Sequence, residues 1–127
     1  MENGTHYLLA AYTGILKIST EGVLINRYFK GQNSSCLCHI SGSQYLVGFE
    51  NHKLQVWDEE KNQDLFTVSD DKVCQIKRVL ATNNYIIKSE KEGVKLLSLD
   101  LKNKIPTMKN LPDAKVEWSN FTDSLQL

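Results

Sequence analysis

A repeat sets the strongest limit on what this chain can fold into. A tyrosine followed by two apolar residues opens three similar segments, at Tyr7, Tyr45 and Tyr85, which lie 38 and then 40 residues apart. A second stretch of alternating apolar and polar residues follows each tyrosine at the same distance. These stretches are centred on Ile18, Val56 and Leu96. Self-similarity at such a period is typical of arrays in which each unit buries its apolar face against its neighbours.

One full period of the repeat is predicted to contain four short strands. A turn signal separates the two stretches of every unit, at Thr13-Gly14, Asn51-His52 and Glu92-Gly93. Gly and Asn tolerate the positive φ of tight hairpins, so these pairs predict β-hairpins. Two further apolar stretches complete each period, and no segment shows a sustained helical period. We therefore predict an all-β chain with units at residues 6–29, 35–68 and 73–108 and one more strand at 114–121.

The charge balance argues against two classes of partner. The chain carries 15 Lys plus Arg against 15 Asp plus Glu, which removes the long-range attraction on which non-specific nucleic-acid and anionic-membrane binding depend. No apolar run approaches the roughly 20 residues of a spanning helix, and no export signal is recognisable at the N-terminus. We expect a cytoplasmic protein without membrane insertion, in which Cys36, Cys38 and Cys74 are reduced.

The middle unit carries a resemblance to a known family. The stretch from Gln44 to Asp58 ends in Trp57-Asp58 and resembles the second and third strands of a WD40 repeat, whose period is also near 40 residues. The resemblance implies a β-propeller of four-stranded blades. The other units have Ser19-Thr20 and Leu97-Ser98 in place of the Trp-Asp pair, and no Gly-His dipeptide precedes a first strand. The hydrogen-bond network usual in such blades is therefore not expected in its usual form, and apolar packing must hold the blades together.

The number of strands leaves three arrangements open. The first unit has only three strands, and the strand at 114–121 would supply the missing one, with Val116 and Trp118 as assembly residues on its inward face. Propellers have about 4–8 blades, so three units do not close a ring. The chain could be part of a longer propeller, or two copies could join head to tail into a six-bladed ring. A β-trefoil, which also has three repeats and needs no partner, is the third arrangement.

The sequence contains no convincing catalytic or metal site. In a strand, Cys36 and Cys38 share one face while His39 points to the other, and no second pair of ligands has a suitable spacing. Cys36 and Cys38 are therefore interpreted as core residues, and Cys74, at a corresponding strand position, as another. No nucleophile elbow, phosphate-binding glycine loop or zinc-protease motif occurs. We expect no enzyme activity, no cofactor and no metal.

The predicted function is protein–protein interaction, as a scaffold or subunit of an intracellular complex. The runner-up is a small β-trefoil module that binds a ligand or a carbohydrate. If the WD40 geometry holds, the turns between strands two and three share one edge with the loops before strand one, and loops on a rigid scaffold usually carry binding. The candidate partner-binding residues at that edge are Tyr12, Thr13, Lys30, Gln32, Glu50, Asn51, Asp70, Asp71, Lys91 and Glu92.

Overall fold

The described part of the chain is built from antiparallel strands. The computed structural model describes residues 6–80, 82–91 and 93–111, and within these ranges it contains strands and turns but no helix. The first sheet holds β1 (His6–Ala11), β2 (Gly14–Ser19) and β3 (Leu24–Tyr28). The second holds β4 (Ser34–Ser41), β5 (Gln44–Phe49), β6 (Lys53–Asp58) and β7 (Gln63–Ser69). The third holds β8 (Val73–Arg78), β9 (Asn84–Ser89), β10 (Gly93–Asp100) and β11 (Ile105–Asn110).

Every sheet is a meander in which neighbours along the chain are neighbours in space. The orders are β1-β2-β3, β4-β5-β6-β7 and β8-β9-β10-β11. The described ladders all lie within a sheet, whereas a trefoil requires strands of different repeats to pair into a common barrel. The all-β prediction is therefore confirmed, and the trefoil alternative is wrong. The predicted strand at 114–121, with Val116 and Trp118, lies outside the described residues.

The second sheet is buried on both faces. Along β5 and β6 the side chains alternate, so Tyr45 and Val47 face the first sheet while Leu46 and Val56 face the third. One core joins Leu8, Ile15, Tyr28, Tyr45, Val47, Phe49 and Trp57. The other core joins Cys36, Ile40, Leu46, Leu54, Val56, Val73, Ile76, Tyr85, Ile87, Leu97 and Leu99. Burial on both sides explains why Tyr45 to Phe49 is almost wholly apolar rather than alternating.

Trp57 is the largest side chain of the core between the first two sheets. It is fully buried and meets Tyr28 edge-on with ring centroids 4.9 Å apart. Phe29 approaches it at 5.1 Å, also edge-on, a geometry that brings the positive edge of one ring to the negative face of another. Trp57 therefore packs between the first and second sheets.

The three tyrosines occupy matching positions, but the turn of the first hairpin is one residue shorter than the constant spacing of the repeats predicted. Tyr45 pairs with Trp57 across the ladder, and Tyr85 pairs with Leu97. Tyr7 pairs with Ile18, because Ala11 and Gly14 close the first hairpin one residue earlier than Phe49 and Lys53 close the second. The residues matching Trp57-Asp58 in the first unit are therefore Ile18-Ser19, and their assignment to Ser19-Thr20 is wrong.

The cysteines divide into buried and exposed sites. Cys36 is buried against the third sheet, and Cys38 packs at the border of the same core. Cys74 is exposed, so its assignment to the core is wrong. The ladder between β8 and β9 is interrupted between Val73 and Gln75, and a bulge residue at that point leaves the alternation of the strand. The equivalent bulge in β4 falls at Ser35 rather than at Cys36.

This difference predicts selective alkylation of the thiols. Burial raises the pKa of Cys36 from its ordinary 9.0 to about 11, and only the thiolate reacts. Cys74 should be modified by iodoacetamide in the folded protein at pH 8, and Cys36 only after unfolding, as followed by peptide mass spectrometry. Because the pKa of Cys36 is raised by folding, its contribution to stability is complete below pH 9 and declines as the pH rises toward 11. Equal labelling rates for Cys36 and Cys74 in the native protein would contradict the assigned burial.

Candidate protein-interaction surface

Turns and loops from all three sheets meet at one edge of the array. The amide of Glu50, after β5, donates to the carbonyl of Asn33, before β4, at 2.8 Å. The amide of Glu90, after β9, donates in the same way to the carbonyl of Lys72, before β8, at 2.9 Å. We call this edge the turn rim and define it as residues 12–13, 30–33, 50–52, 70–72 and 90–91. An equivalent backbone hydrogen bond, from the turn after the second strand to the loop before the first, therefore stabilises the rim in both the second and the third sheet.

A buried serine connects the first hairpin to this rim. The Oγ atom of Ser34 accepts a hydrogen bond from the amide of Ala11 at 2.8 Å. Its hydroxyl proton is directed toward the carbonyl oxygens of Ala11 and Gly14, each at 3.0 Å. These contacts flank the turn that carries Tyr12, whose side chain is 80% exposed. The rim thus presents an exposed aromatic ring on a backbone that is fixed on both sides.

A depression lies beside this serine. It has a volume of about 340 Å³ and is lined by Gly31, Gln32, Asn33, Glu50 and Asn51. Three of the sequence-predicted residues, Gln32, Glu50 and Asn51, are brought together here. Amide and carboxylate groups dominate the lining, so the depression offers hydrogen-bond donors and acceptors rather than an apolar pocket.

A lysine ties the second and third sheets together along the rim. The Nζ atom of Lys72 lies 2.6 Å from an oxygen of Glu50 and 3.9 Å from one of Glu90. The hydrogen bond to Glu50 raises the pKa of Lys72 above its ordinary value. Lys72 and Glu90 were not among the residues predicted from the sequence. Lys72 occupies the position of Asn33 in the second sheet, and Glu90 occupies that of Glu50. Exposed ion pairs of this kind contribute little to stability, and the effect here is to fix the orientation of Glu50.

The remaining predicted rim residues have different settings. Asp71 accepts a hydrogen bond from the hydroxyl of Ser89, at the buried end of β9, and thereby links the loop before β8 to the second strand of its own sheet. Glu92 lies outside the described residues. The others are exposed on the rim: Thr13, Lys30, Asp70 and Lys91.

The described ranges give no sign of a metal centre or a membrane span. Within residues 6–80, 82–91 and 93–111, no three His, Cys, Asp or Glu side chains come together as ligands of an ion would. The same ranges contain no helix with the length and apolar character needed to cross a bilayer.

Comparisons with known proteins identify the fold. No protein-family model matches the chain, and no curated protein matches its sequence. Among solved structures, the β-propeller domain of Swd1 (Cps50) from Myceliophteria thermophila is similar, with a TM-score of 0.68 and 9% identity over 85% of this chain and 41% of that chain. U3-55K is similar with a TM-score of 0.60 and 20% identity over 81% of this chain and 35% of that one.

A segment of a bacterial protein has a similar fold. PorZ of Porphyromonas gingivalis, described as a surface component of the type-IX secretion system, matches with a TM-score of 0.64 and 14% identity. The match covers 85% of this chain and 15% of PorZ, so the chain spans well under half of each of these structures. At these identities the likeness concerns the fold. The three stacked meanders are therefore blades of a partial β-propeller.

Proposed function

We propose that this chain is a protein-interaction segment of a β-propeller, acting as a scaffold or subunit of an intracellular complex without chemistry of its own. The observation that carries the proposal is the exposed ring of Tyr12 on a turn held by Ser34. Tyrosine is enriched among residues that dominate binding energy, because it buries a large area with few torsions to immobilise. The backbone of the turn that carries Tyr12 is already fixed, so little further conformational entropy is lost when a partner covers the ring.

The surroundings of Tyr12 suit a polar protein surface. The depression beside Ser34 supplies the amide groups of Gln32 and Asn51 and the carboxylate of Glu50, which Lys72 holds in place at 2.6 Å. Interfaces combine a buried aromatic centre with a polar, hydrated rim. The turn rim presents that combination, and it carries both signs of charge. We therefore place the partner contact at Tyr12 and the depression, with Asp70 and Lys91 at the border.

Substitution of Tyr12 tests this placement. The purified chain is immobilised, incubated with an extract of the source cells, and the retained proteins are quantified by mass spectrometry. Tyr12→Ala should reduce the retention of specific partners at least about tenfold, which corresponds to about 1.4 kcal/mol. The double charge reversal Glu50→Lys with Asp70→Lys should reduce it in the same direction.

A matched control separates the rim from the rest of the surface. Leu80 is 48% exposed in the loop between β8 and β9, at the opposite edge, so Leu80→Ala should leave retention unchanged. The proposal is wrong if no protein is retained above a blank matrix, or if Tyr12→Ala and Leu80→Ala retain every partner equally.

A further inference from the structure

The last strand of the first sheet begins with a run of exposed aliphatic side chains. Val23, just before β3, and Leu24 and Ile25, within it, are 60%, 51% and 53% exposed. None of the three belongs to either core of the described residues. Single exposed aliphatic residues are ordinary, whereas contiguous ones mark an interaction surface. We call residues 23–27 the β3 edge.

The exposure of this run does not depend on the absence of a neighbouring sheet. Leu24 pairs with Ile18, and Asp64 pairs with Trp57 at the equivalent place in the second sheet. Residues directly opposite each other share one face of a sheet. The first sheet covers that face of the second sheet at Trp57, yet Asp64 is exposed. The first sheet therefore has a leucine at a position where the second sheet has a charged residue in contact with solvent.

The backbone of the β3 edge directs hydrogen-bonding groups away from the sheet. Within the described ranges, β2 is the single strand neighbour of β3. The amide of Ser19 donates to the carbonyl of Val23 at 2.8 Å, so every second residue of β2, counted back from Ser19, bonds to β3, and Leu16 bonds to β1 instead. Arg27, which pairs with Leu16, therefore directs its backbone outward. Its amide donates to the side-chain Oδ1 of Asn26 at 2.8 Å.

Of the last strands of the three described sheets, β3 is the least protected. Charged residues, prolines and bulges commonly protect edge strands against pairing. β11 contains Pro106, which has no amide to donate, and β7 has Asp64 and two interruptions of its ladder with β6. β3 has one interruption, at Ile25, and no proline. The outward amide of Arg27 is covered by the side chain of Asn26, which a carbonyl of an added strand would replace.

Two charged residues bracket the aliphatic run. Glu21 precedes it and Arg27 follows it, and both are exposed. Neither residue takes part in the ion pairs of the described part of the chain. A strand that lies antiparallel to β3 meets these charges if it has an acidic residue near its N-terminal end and a basic residue near its C-terminal end.

From these features we propose that β3 accepts an extended segment of a partner protein as an added antiparallel strand. Aliphatic side chains of the segment contact Leu24 and Ile25, and its acidic residue pairs with Arg27. In strand addition the backbone hydrogen bonds supply affinity and the side chains supply specificity. The antiparallel direction continues the pattern of the described ladders. This inference goes beyond the partner surface at the turn rim and does not depend on it.

Binding of a synthetic peptide is the direct test. The probe is a fluorescently labelled peptide of about eight residues, the length of a strand, in which alternating valine and threonine follow a glutamate and precede a lysine. Fluorescence anisotropy should show saturable one-to-one binding to the purified chain. The same peptide with methylated amides keeps its side chains but loses its backbone donors, so it should not bind. The proposal is overturned if no saturable binding occurs at up to about 1 mM protein, or if the methylated peptide binds equally.

Substitutions at the β3 edge test the assigned contacts. Leu24→Asp introduces the charge found at this position in the second sheet and should weaken peptide binding at least about tenfold. Arg27→Glu should weaken it about threefold or more, because it places like charges opposite each other, and should improve binding of a peptide with lysine in place of the glutamate. Circular dichroism checks that both variants are folded.

Two control variants change exposed residues elsewhere. Thr107→Asp places the same charge on β11, and Tyr12→Ala changes the turn rim alone, so both should leave peptide binding unchanged. Equal losses in Leu24→Asp and Thr107→Asp would show that the peptide does not bind at β3. Because Tyr12→Ala affects only the retention of partners from the cell extract, failure of either proposal can be recognised separately.

The molar mass in solution distinguishes a partner segment from a second copy of the chain. An unprotected strand edge can also pair with the same edge of another copy. Light scattering should therefore give the same mass for the parent protein and for Leu24→Asp. A mass that falls by half in Leu24→Asp would assign the β3 edge to a second copy and overturn the proposal.

Discussion

Replacing Gly14 by alanine should destabilise the protein by about 2–6 kcal/mol. A Cβ atom at this position would lie 2.1 Å from the carbonyl oxygen of Tyr28 and 2.8 Å from that of Phe29. Both are backbone atoms that cannot rotate aside. The φ of 126° is also one that residues with a side chain rarely adopt. Overpacking costs about 1–3 kcal/mol and the backbone strain a further 1–3 kcal/mol or so, against a total stability of about 5–15 kcal/mol for a domain.

A second glycine separates the two causes. Gly42 also has a positive φ, of 52°, but no atom lies within 4 Å of its hypothetical Cβ. Gly42→Ala should therefore cost only the strain of a left-handed residue, about 1–2 kcal/mol. Urea unfolding followed by tryptophan fluorescence measures both variants. Equal unfolding midpoints for Gly14→Ala and Gly42→Ala would show that the close approach of β3 to the first hairpin is not tight.

Trp57→Ala should be the most damaging change in the core between the first two sheets. The indole is fully buried and lies within 6.0 Å, centroid to centroid, of Tyr28, Phe29 and Tyr45. Truncating a buried tryptophan to alanine costs about 3–5 kcal/mol, because transfer free energy is lost and a cavity remains. We expect the free energy of urea unfolding to fall by that amount.

Conservative and surface substitutions provide the controls for Trp57. Trp57→Phe keeps an aromatic ring and loses the indole hydrogen bond to Asn62, which is 3.1 Å long and whose partner residue is exposed. It should cost clearly less than Trp57→Ala. Tyr12→Ala, at an exposed site, should change stability by no more than about 0.5 kcal/mol. A loss for Trp57→Ala as small as that for Tyr12→Ala would contradict the packing of the two sheets through this ring.

The repeat carried most of the information about the fold. The three tyrosines share one ladder position, because period-two alternation fixes which face of a strand each side chain occupies. The exposed position of Tyr12 likewise follows from its place in a hairpin turn. These features depend on local pattern, so the sequence was sufficient to predict them.

Details that depend on a shift of one residue in strand register could not be predicted from the sequence. The bulge that exposes Cys74 has no distinctive residue to mark it, and the corresponding strand position of this thiol therefore predicted that it was buried. The shorter first hairpin shifted the match to Trp57 by one place, from Ser19 to Ile18. The ion pairs of Lys72 with Glu50 and Glu90 join residues that are distant in sequence, so they depend on how the sheets pack and not on a local sequence pattern.

The absence of a water-facing side on the second sheet has a consequence for local opening. The second sheet packs against a neighbouring sheet on each face, so its strands reach solvent only if a neighbouring sheet separates. Among the described residues, the first and third sheets each share one such core. In amide hydrogen exchange, β5 and β6 should therefore form the most protected unit, and the outer strands should open at lower free energy. Protection would then decrease outward in both directions, as in a short linear array whose stability resides in its contacts between units.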